Sequence, residues 1–172
     1  MNVYIPSEII EEARRKGIDI ELVIIRTLAK VLGLDPRREA EIHLKIAEKF
    51  FDEGLYFIEK GDSIQASEKL YKAVEECIKA AAIAMELREV LDAVEARGRW
   101  TVTDLERVVR KLDKMFKGAR EWWDSANYLH MWGFHEAKLD IDAVKERVNS
   151  VKSMLQVVKK LLNEIKPSEY SK

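Results

Sequence analysis

Gly61-Asp62-Ser63-Ile64-Gln65-Ala66-Ser67-Glu68-Lys69-Leu70-Tyr71-Lys72-Ala73-Val74-Glu75-Glu76-Cys77-Ile78-Lys79-Ala80-Ala81-Ala82 is the stretch whose reading decides the fold class. Asp62 is of N-cap type, and Gln65 three positions on completes the pattern of a capping box, so a helix starts here. Behind the cap, Ala66, Leu70, Ala73, Val74, Cys77, Ile78 and Ala81 recur at spacings of three and four, which places them on one helical face. The face is made of small residues, so a neighbouring helix can approach closely.

Working outward toward the N-terminus, Asp35 before Pro36 is an N-cap with proline at the first helical position, where its missing N–H costs nothing. The spacing predicts a long helix to Lys60, ended by Gly61. With the helix after Asp62 it forms a hairpin in which Gly54, Phe57, Ala66, Leu70 and Ala73 are spaced as in one tetratricopeptide pair, but no second copy of that period occurs. Pro6 and Ser7 open a short helix carrying Ile9, Ile10 and Ala13, closed by Gly17. Asp19 caps a second, whose Leu22, Val23, Ile25, Leu28, Ala29 and Leu32 run up to Gly33. Residues 1–34 therefore read as an N-terminal helical hairpin, 35–166 as the main helical bundle and 167–172 as a flexible tail. Only Asn2 to Ile5 alternates like a strand, and it is too short to hold a sheet by itself.

On the other side, the segment 95–101 with Gly98 is the expected mid-chain break, and Thr103 with Glu106 reads as a capping box for a helix ending near Gly118. Asp140 caps the last helix. Its Val144, Val148, Val151, Leu155, Val158, Leu162 and Ile165 alternate spacings of four and three, a heptad, and Pro167 lies just beyond. Met154, Val157 and Leu161 widen the stripe, which suits either a core face or a dimer seam. Seven principal helices are expected, the one after Asp140 being the longest uninterrupted heptad.

Composition agrees with one all-α domain plus a short appendage. The 172 residues are 47% hydrophobic and 35% charged, too apolar for a disordered chain and too charged for a membrane protein. The longest apolar runs, such as Ala80 to Met85, fall far short of the roughly 20 residues of a bilayer span. The opening Met-Asn-Val-Tyr-Ile-Pro lacks the features of a secretory signal, so a cytoplasmic protein is expected. Cys77 is the only cysteine, which excludes an internal disulfide and a cysteine zinc site and reads as a buried thiol. Thirty basic residues against 31 acidic ones give a net charge of −1, so any attraction for nucleic acid has to be local. Abundant Glu, Lys and Arg with few Asn, Gln and Cys match the bias of hyperthermophile proteins.

Phosphate loops, nucleophile elbows, HExxH and calcium-loop motifs are absent from the sequence, and no metal or cofactor is expected. The chemistry-bearing cluster is Trp122, Trp123, Asn127, His130, Trp132, His135 and Glu136. Five positions apart, His130 and His135 would point about 140° from each other on a continuous α-helix. A break at Gly133 would bring both rings to one pocket, where Glu136 or Asp140 orients an imidazole. His43, between Ile42 and Leu44, reads as a surface or boundary residue. The tryptophans anchor a core or interface, or stack on a base. Arg14, Arg15, Lys16, Arg37 and Arg38 read as solvated charge beside glutamates.

From Asp35 to Leu162 the chain resembles the PaREP-type family of archaeal paralogues. The blocks that carry the likeness are Gly61 to Ala73, Gly98-Arg99-Trp100-Thr101 and Leu129-His130-Met131-Trp132-Gly133-Phe134-His135-Glu136-Ala137. That family is similar to HEPN domains, so the resemblance implies an antiparallel helical bundle that forms a homodimer. It also implies partners such as a nucleotidyltransferase or an antitoxin. Some HEPN proteins are ribonucleases of toxin–antitoxin and defence systems, with an arginine four to six residues before a histidine. Here Arg120 precedes His130 by ten positions and no arginine lies between Arg120 and His135. The ribonuclease motif is half present, with His130 or His135 as its histidine. The first 34 residues resemble a ribbon-helix-helix antitoxin, which would make Asn2 and Tyr4 DNA readers on a strand without the usual basic residue. Three function classes follow: a dimeric HEPN-like binding module, a metal-independent ribonuclease, and a DNA-binding regulator.

Overall fold

A long helix, α4 (Ser63–Ala84), runs through the middle of the computed structural model, which describes residues 4–18 and 20–164. Asp62 caps it through the Gln65 N–H at 3.0 Å. Ala66, Leu70, Ala73, Val74, Cys77, Ile78 and Ala81 are all buried, and so are Ala80 and Ala82 between them. A helix buried on nearly every side has to be surrounded by other elements, and among the described residues these are all helices.

The chain supplies that wrapping. α1 (Ser7–Arg15) and α2 (Ile20–Val31) precede α3 (Pro36–Glu59), which turns at Gly61 and runs back along α4. The predicted Asp35 cap is formed, its carboxylate accepting from the Arg38 N–H at 2.9 Å. α5 (Arg88–Arg97) is followed by α6 (Val102–Met115), α7 (Ala119–Tyr128), a π-helical segment (Leu129–His135), α8 (Ile141–Lys145) and α9 (Val148–Glu164). α9, α7, α6 and the π segment all pack on α4. Among the described residues there is no strand, and the class is all-α. None of the described helices is long and apolar enough to cross a membrane.

The helix count exceeds the expected seven for reasons of local geometry. α4 stops at Ala84 without glycine or proline, because Glu86 takes a left-handed φ of 48° and Arg88 restarts the chain as α5. The expected break at Gly98 is there too, with φ 72° as the C-cap of α5. Thr101, not Thr103, caps α6, pairing reciprocally with Asp104 in a capping box. The helix after Asp140 is not one uninterrupted heptad. It turns at Glu146 and Arg147, where the Arg147 guanidinium donates to the Ala143 carbonyl at 2.6 Å and lies over the Tyr128 ring. α9 is therefore shorter than α3 and α4.

The apolar stripe of that helix is used inside the chain. Val144, Val151, Met154, Leu155, Val158, Leu161 and Leu162 are buried against α4, α3 and α7. Asp19, Asn2, Ile165, Pro167 and the 167–172 tail lie outside the described residues. Of the proposed strand, Tyr4 and Ile5 are described and are not in a strand.

Candidate functional site

The α7 helix does not end at Tyr128 but widens into π geometry over Leu129–His135. The i→i+5 bonding of a π turn stacks residues five apart, where an α-helix would splay them. His130 and His135 consequently meet edge to face, ring centroids 4.4 Å apart and Nε2 to Nε2 at 3.1 Å. The expectation that both rings reach one place holds, but Gly133 is not a break. Its role is steric: a Cβ there would sit 2.1 Å from the Ser67 Oγ, so only glycine lets the π segment lie directly on α4.

His130 is half buried and stacks on Tyr71 of α4 at 4.1 Å between ring centroids. Phe134 flanks it at 6.0 Å and His135 is exposed. Burial first, and the neighbouring His135 second, lower the His130 pKa from its usual 6.5, while Glu75 and Glu68 pull it back up. In the contact between the two Nε2 atoms one nitrogen donates and the other accepts. The lowered pKa of His130 favours its neutral form, and the tautomers of the two rings set which of the two nitrogens donates. His130 Nδ1 is a buried atom without a hydrogen-bond partner among the described residues. Burial raises the Tyr71 pKa, with Glu75 adding to the effect, so the phenol stays protonated beside the pair.

Strain gathers where the π segment meets α4. Directly after the π turn, Ala137 adopts φ 50°, a left-handed conformation that non-glycine residues seldom take. Ser67 Oγ, facing Gly133, is a second buried polar atom with no partner. Buried orphan groups and sparsely populated backbone are costly, and they concentrate at functional positions.

The other members of the predicted cluster scatter. Trp123 is 0% exposed and donates from Nε1 to Glu106 at 2.5 Å, a core residue with its polar end satisfied. Trp122 is half buried against Gly118, and Asn127 is half buried on α7. Trp132 is 43% exposed, beneath the Lys138 ammonium and beside Tyr128. It belongs to a second aromatic face with Tyr128 and Arg147, separate from the imidazoles. Glu136 pairs with Lys138 at 3.2 Å and orients neither histidine; Asp140 caps α8 through the Ala143 N–H. Tyr4 is 86% exposed. No group of three or more metal-ligating side chains is assembled among the described residues.

One site was missed. His43 is not a surface or boundary residue: it is 3% exposed, and its Nδ1 lies 2.6 Å from Glu76 Oε2 across the α3–α4 contact. The other Glu76 oxygen accepts from Lys79 at 2.7 Å, and Lys79 also reaches Glu75 at 2.8 Å. Burial alone would raise the Glu76 pKa, but the His43 hydrogen bond and Lys79 outweigh it and hold the carboxyl below the usual range. For Lys79 burial works downward and the two glutamates overcome it. Cys77 is buried as expected, its pKa raised by burial and then by Glu76 and Glu48. The signal for His43 was available: Ala40, His43, Leu44 and Ala47 lie at helical spacing, all on the face α3 turns to α4.

No curated protein matches the chain. A crystal structure of a Sulfolobus solfataricus protein, a structural-genomics target, is similar at 34% identity and a TM-score of 0.66, covering 69% of this chain and 98% of its own. A solution structure of the same target gives 35% identity and a TM-score of 0.61, over 69% of this chain and 92% of that one. Residues 42–155, which hold α4, the His43–Glu76 network and the whole π segment, match the archaeal PaREP1/PaREP8 family, and the chain belongs to it.

Proposed function

We propose that the chain is a HEPN-like helical binding module that works as a cytoplasmic homodimer and engages its ligand or protein partner at the His130–His135 edge. What carries this reading is that, among the described residues, two of the three buried unpartnered side-chain atoms and one of the two left-handed non-glycine residues lie at one place. A π turn, a left-handed alanine and two buried unpartnered polar atoms converge on a pair of imidazoles at the surface. Packing alone gives no reason to keep them. A ligand that hydrogen-bonds to an imidazole or carries negative charge would repay them, because the exposed His135 ring presents the pair at the surface. Residues 1–34 act in this reading as a separate appendage to the bundle, and a nucleotidyltransferase or antitoxin is the kind of partner it would meet.

The contact between the imidazoles also favours a second reading, a metal-independent ribonuclease. Two imidazoles 3.1 Å apart can act as an acid–base couple. The missing element is a guanidinium. Lys72, which acts on His130, is held by Glu68 at 3.1 Å, and Arg147 is committed to Ala143 and Tyr128. With no free cation beside the imidazoles among the described residues to stabilise a phosphorane, binding is the better-supported role.

Imidazole proton resonances followed by NMR during titration with mononucleotides and short RNA test the first reading. Displacement of the His130 and His135 signals is the expected result, and unchanged signals across the panel would remove it. Incubating the same RNA in chelator tests the second. Cleavage by the parent that vanishes in both His130→Ala and His135→Ala, with helicity intact, would put the ribonuclease first.

A further inference from the structure

The α6 helix has two opposite faces. Leu105, Val108, Val109 and Leu112 point into the core, while Arg107, Arg110, Lys111 and Lys114 line the other side at offsets of zero, three, four and seven. All four are exposed, and among the described residues none has a carboxylate within salt-bridge distance. They form one wall of a trough of about 700 Å³ whose other side is the start of α5 and Arg120 at the start of α7. The three carboxylates in the trough do not neutralise them. Glu86 faces Arg88 at 3.3 Å, Asp113 is turned to the backbone N–H of Gly118 and Arg120, and Arg120 reaches Glu106 at 4.0 Å, so six cations of the trough stand against its three carboxylates. In a chain of net charge −1 this is a pronounced local excess of positive charge.

We propose that this trough binds the phosphodiester backbone of single-stranded nucleic acid. At 1.5 Å rise per residue, Arg107 to Lys114 spans about 10 Å of rigid scaffold, long enough to meet successive phosphates rather than one isolated anion. Arginine forks match phosphate oxygens in pairs, and unpaired cations on a fixed helix release counterions on binding without first breaking internal bridges. A lipid surface fits less well, because the apolar residues in the trough, Leu87 and Val90, are not presented for insertion: Val90 is buried and Leu87 packs against the core. The inference is independent of the histidine edge, since none of the trough residues takes part there.

Fluorescence anisotropy with a labelled mixed-sequence RNA of about a dozen nucleotides, measured across a salt series, tests it on the full chain. The double charge reversal Arg110→Glu, Lys114→Glu should weaken binding more than tenfold at low salt. It should also reduce the slope of log K against log salt by about 1.4, at 0.7 per lost single-strand phosphate contact. Lys152→Glu, an exposed reversal on α9, should change affinity less than twofold; circular dichroism confirms that each variant is folded. The proposal is overturned by a parent that does not bind RNA, by equal losses in the two variants, or by a parent that binds anionic phosphatidylserine vesicles but not RNA.

Discussion

Two histidine sites in this molecule use the same side chain in opposite ways. His43 is sealed between α3 and α4, bonded to Glu76, and Glu76 is bonded in turn to Lys79, so every charge in the group has a partner. His130 and His135 sit on a strained π turn, bonded to each other, with one buried nitrogen left over. The first arrangement is what burial of charge demands if the fold is to survive. The second lowers stability locally, a cost that the proposed binding role would repay. Perturbation should therefore separate them: damage at the α3–α4 network should appear as lost stability, and damage at the π turn as lost binding.

The largest effect should come from Glu76→Ala. It leaves His43 and part of Lys79's charge buried without their partner, and breaking a buried pair in this way costs about 3 kcal/mol or more. At roughly 2–4 °C per kcal/mol for a domain of this size, the melting temperature should drop by about 6–12 °C, readable by circular dichroism. A drop as small as that of a surface substitution would erase the contrast. The network also predicts a pH dependence. The folded Glu76 pKa lies below its unfolded value, so the stabilisation is complete above the unfolded value and lost as pH falls through the folded one. Urea midpoints of the parent should therefore fall more steeply than those of Glu76→Gln on acidification below the ordinary carboxylate range.

Gly133→Ala should have the next effect. The new Cβ meets Ser67 Oγ and Cβ at 2.1 and 2.5 Å, a clash with α4 that neither side chain can turn away from. Overpacking of this sort costs roughly 1–3 kcal/mol. Ser67→Gly in the same chain removes both clashing atoms and should recover part of the loss. Absence of any recovery would mean the π segment does not rest on α4 as drawn.

How far these features were legible in the sequence depended on whether they were local. The Asp62 and Asp35 caps, the Gly98 break, the buried Cys77 and the all-α class follow from spacing and capping chemistry within a few residues, and they are in place. The breaks at Glu86 and at Glu146–Arg147 carry no glycine or proline and arise from a left-handed glutamate and a tertiary stack of Arg147 on Tyr128. Histidine roles were the hardest to read. For His43 the buried face was readable from its spacing with Ala40, Leu44 and Ala47, but its carboxylate partner is 33 positions away on another helix. The meeting of His130 and His135 needs a π turn, which α-helical periodicity cannot announce. The α6 cations were overlooked because whole-chain neutrality concealed a one-sided helix.

The smallest effect is the sharpest test of the contrast. His135→Ala should change stability by less than about 1 kcal/mol, since the ring is exposed and its removal leaves no buried charge. Its consequence should appear in the titration of His130. Burial is the leading cause that lowers the His130 pKa and His135 is second, so deleting His135 should raise the pKa only part of the way back toward 6.5. The sign for stability follows. A histidine whose folded pKa is depressed favours the neutral form in the native state, so its contribution is present above the unfolded value and fades as pH falls below about 6.5. Proton NMR of the His130 ring in parent and variant reads the shift directly. A full return to 6.5 would make the neighbouring imidazole the dominant cause, and no movement at all would mean that the two rings do not share a proton as their 3.1 Å contact implies.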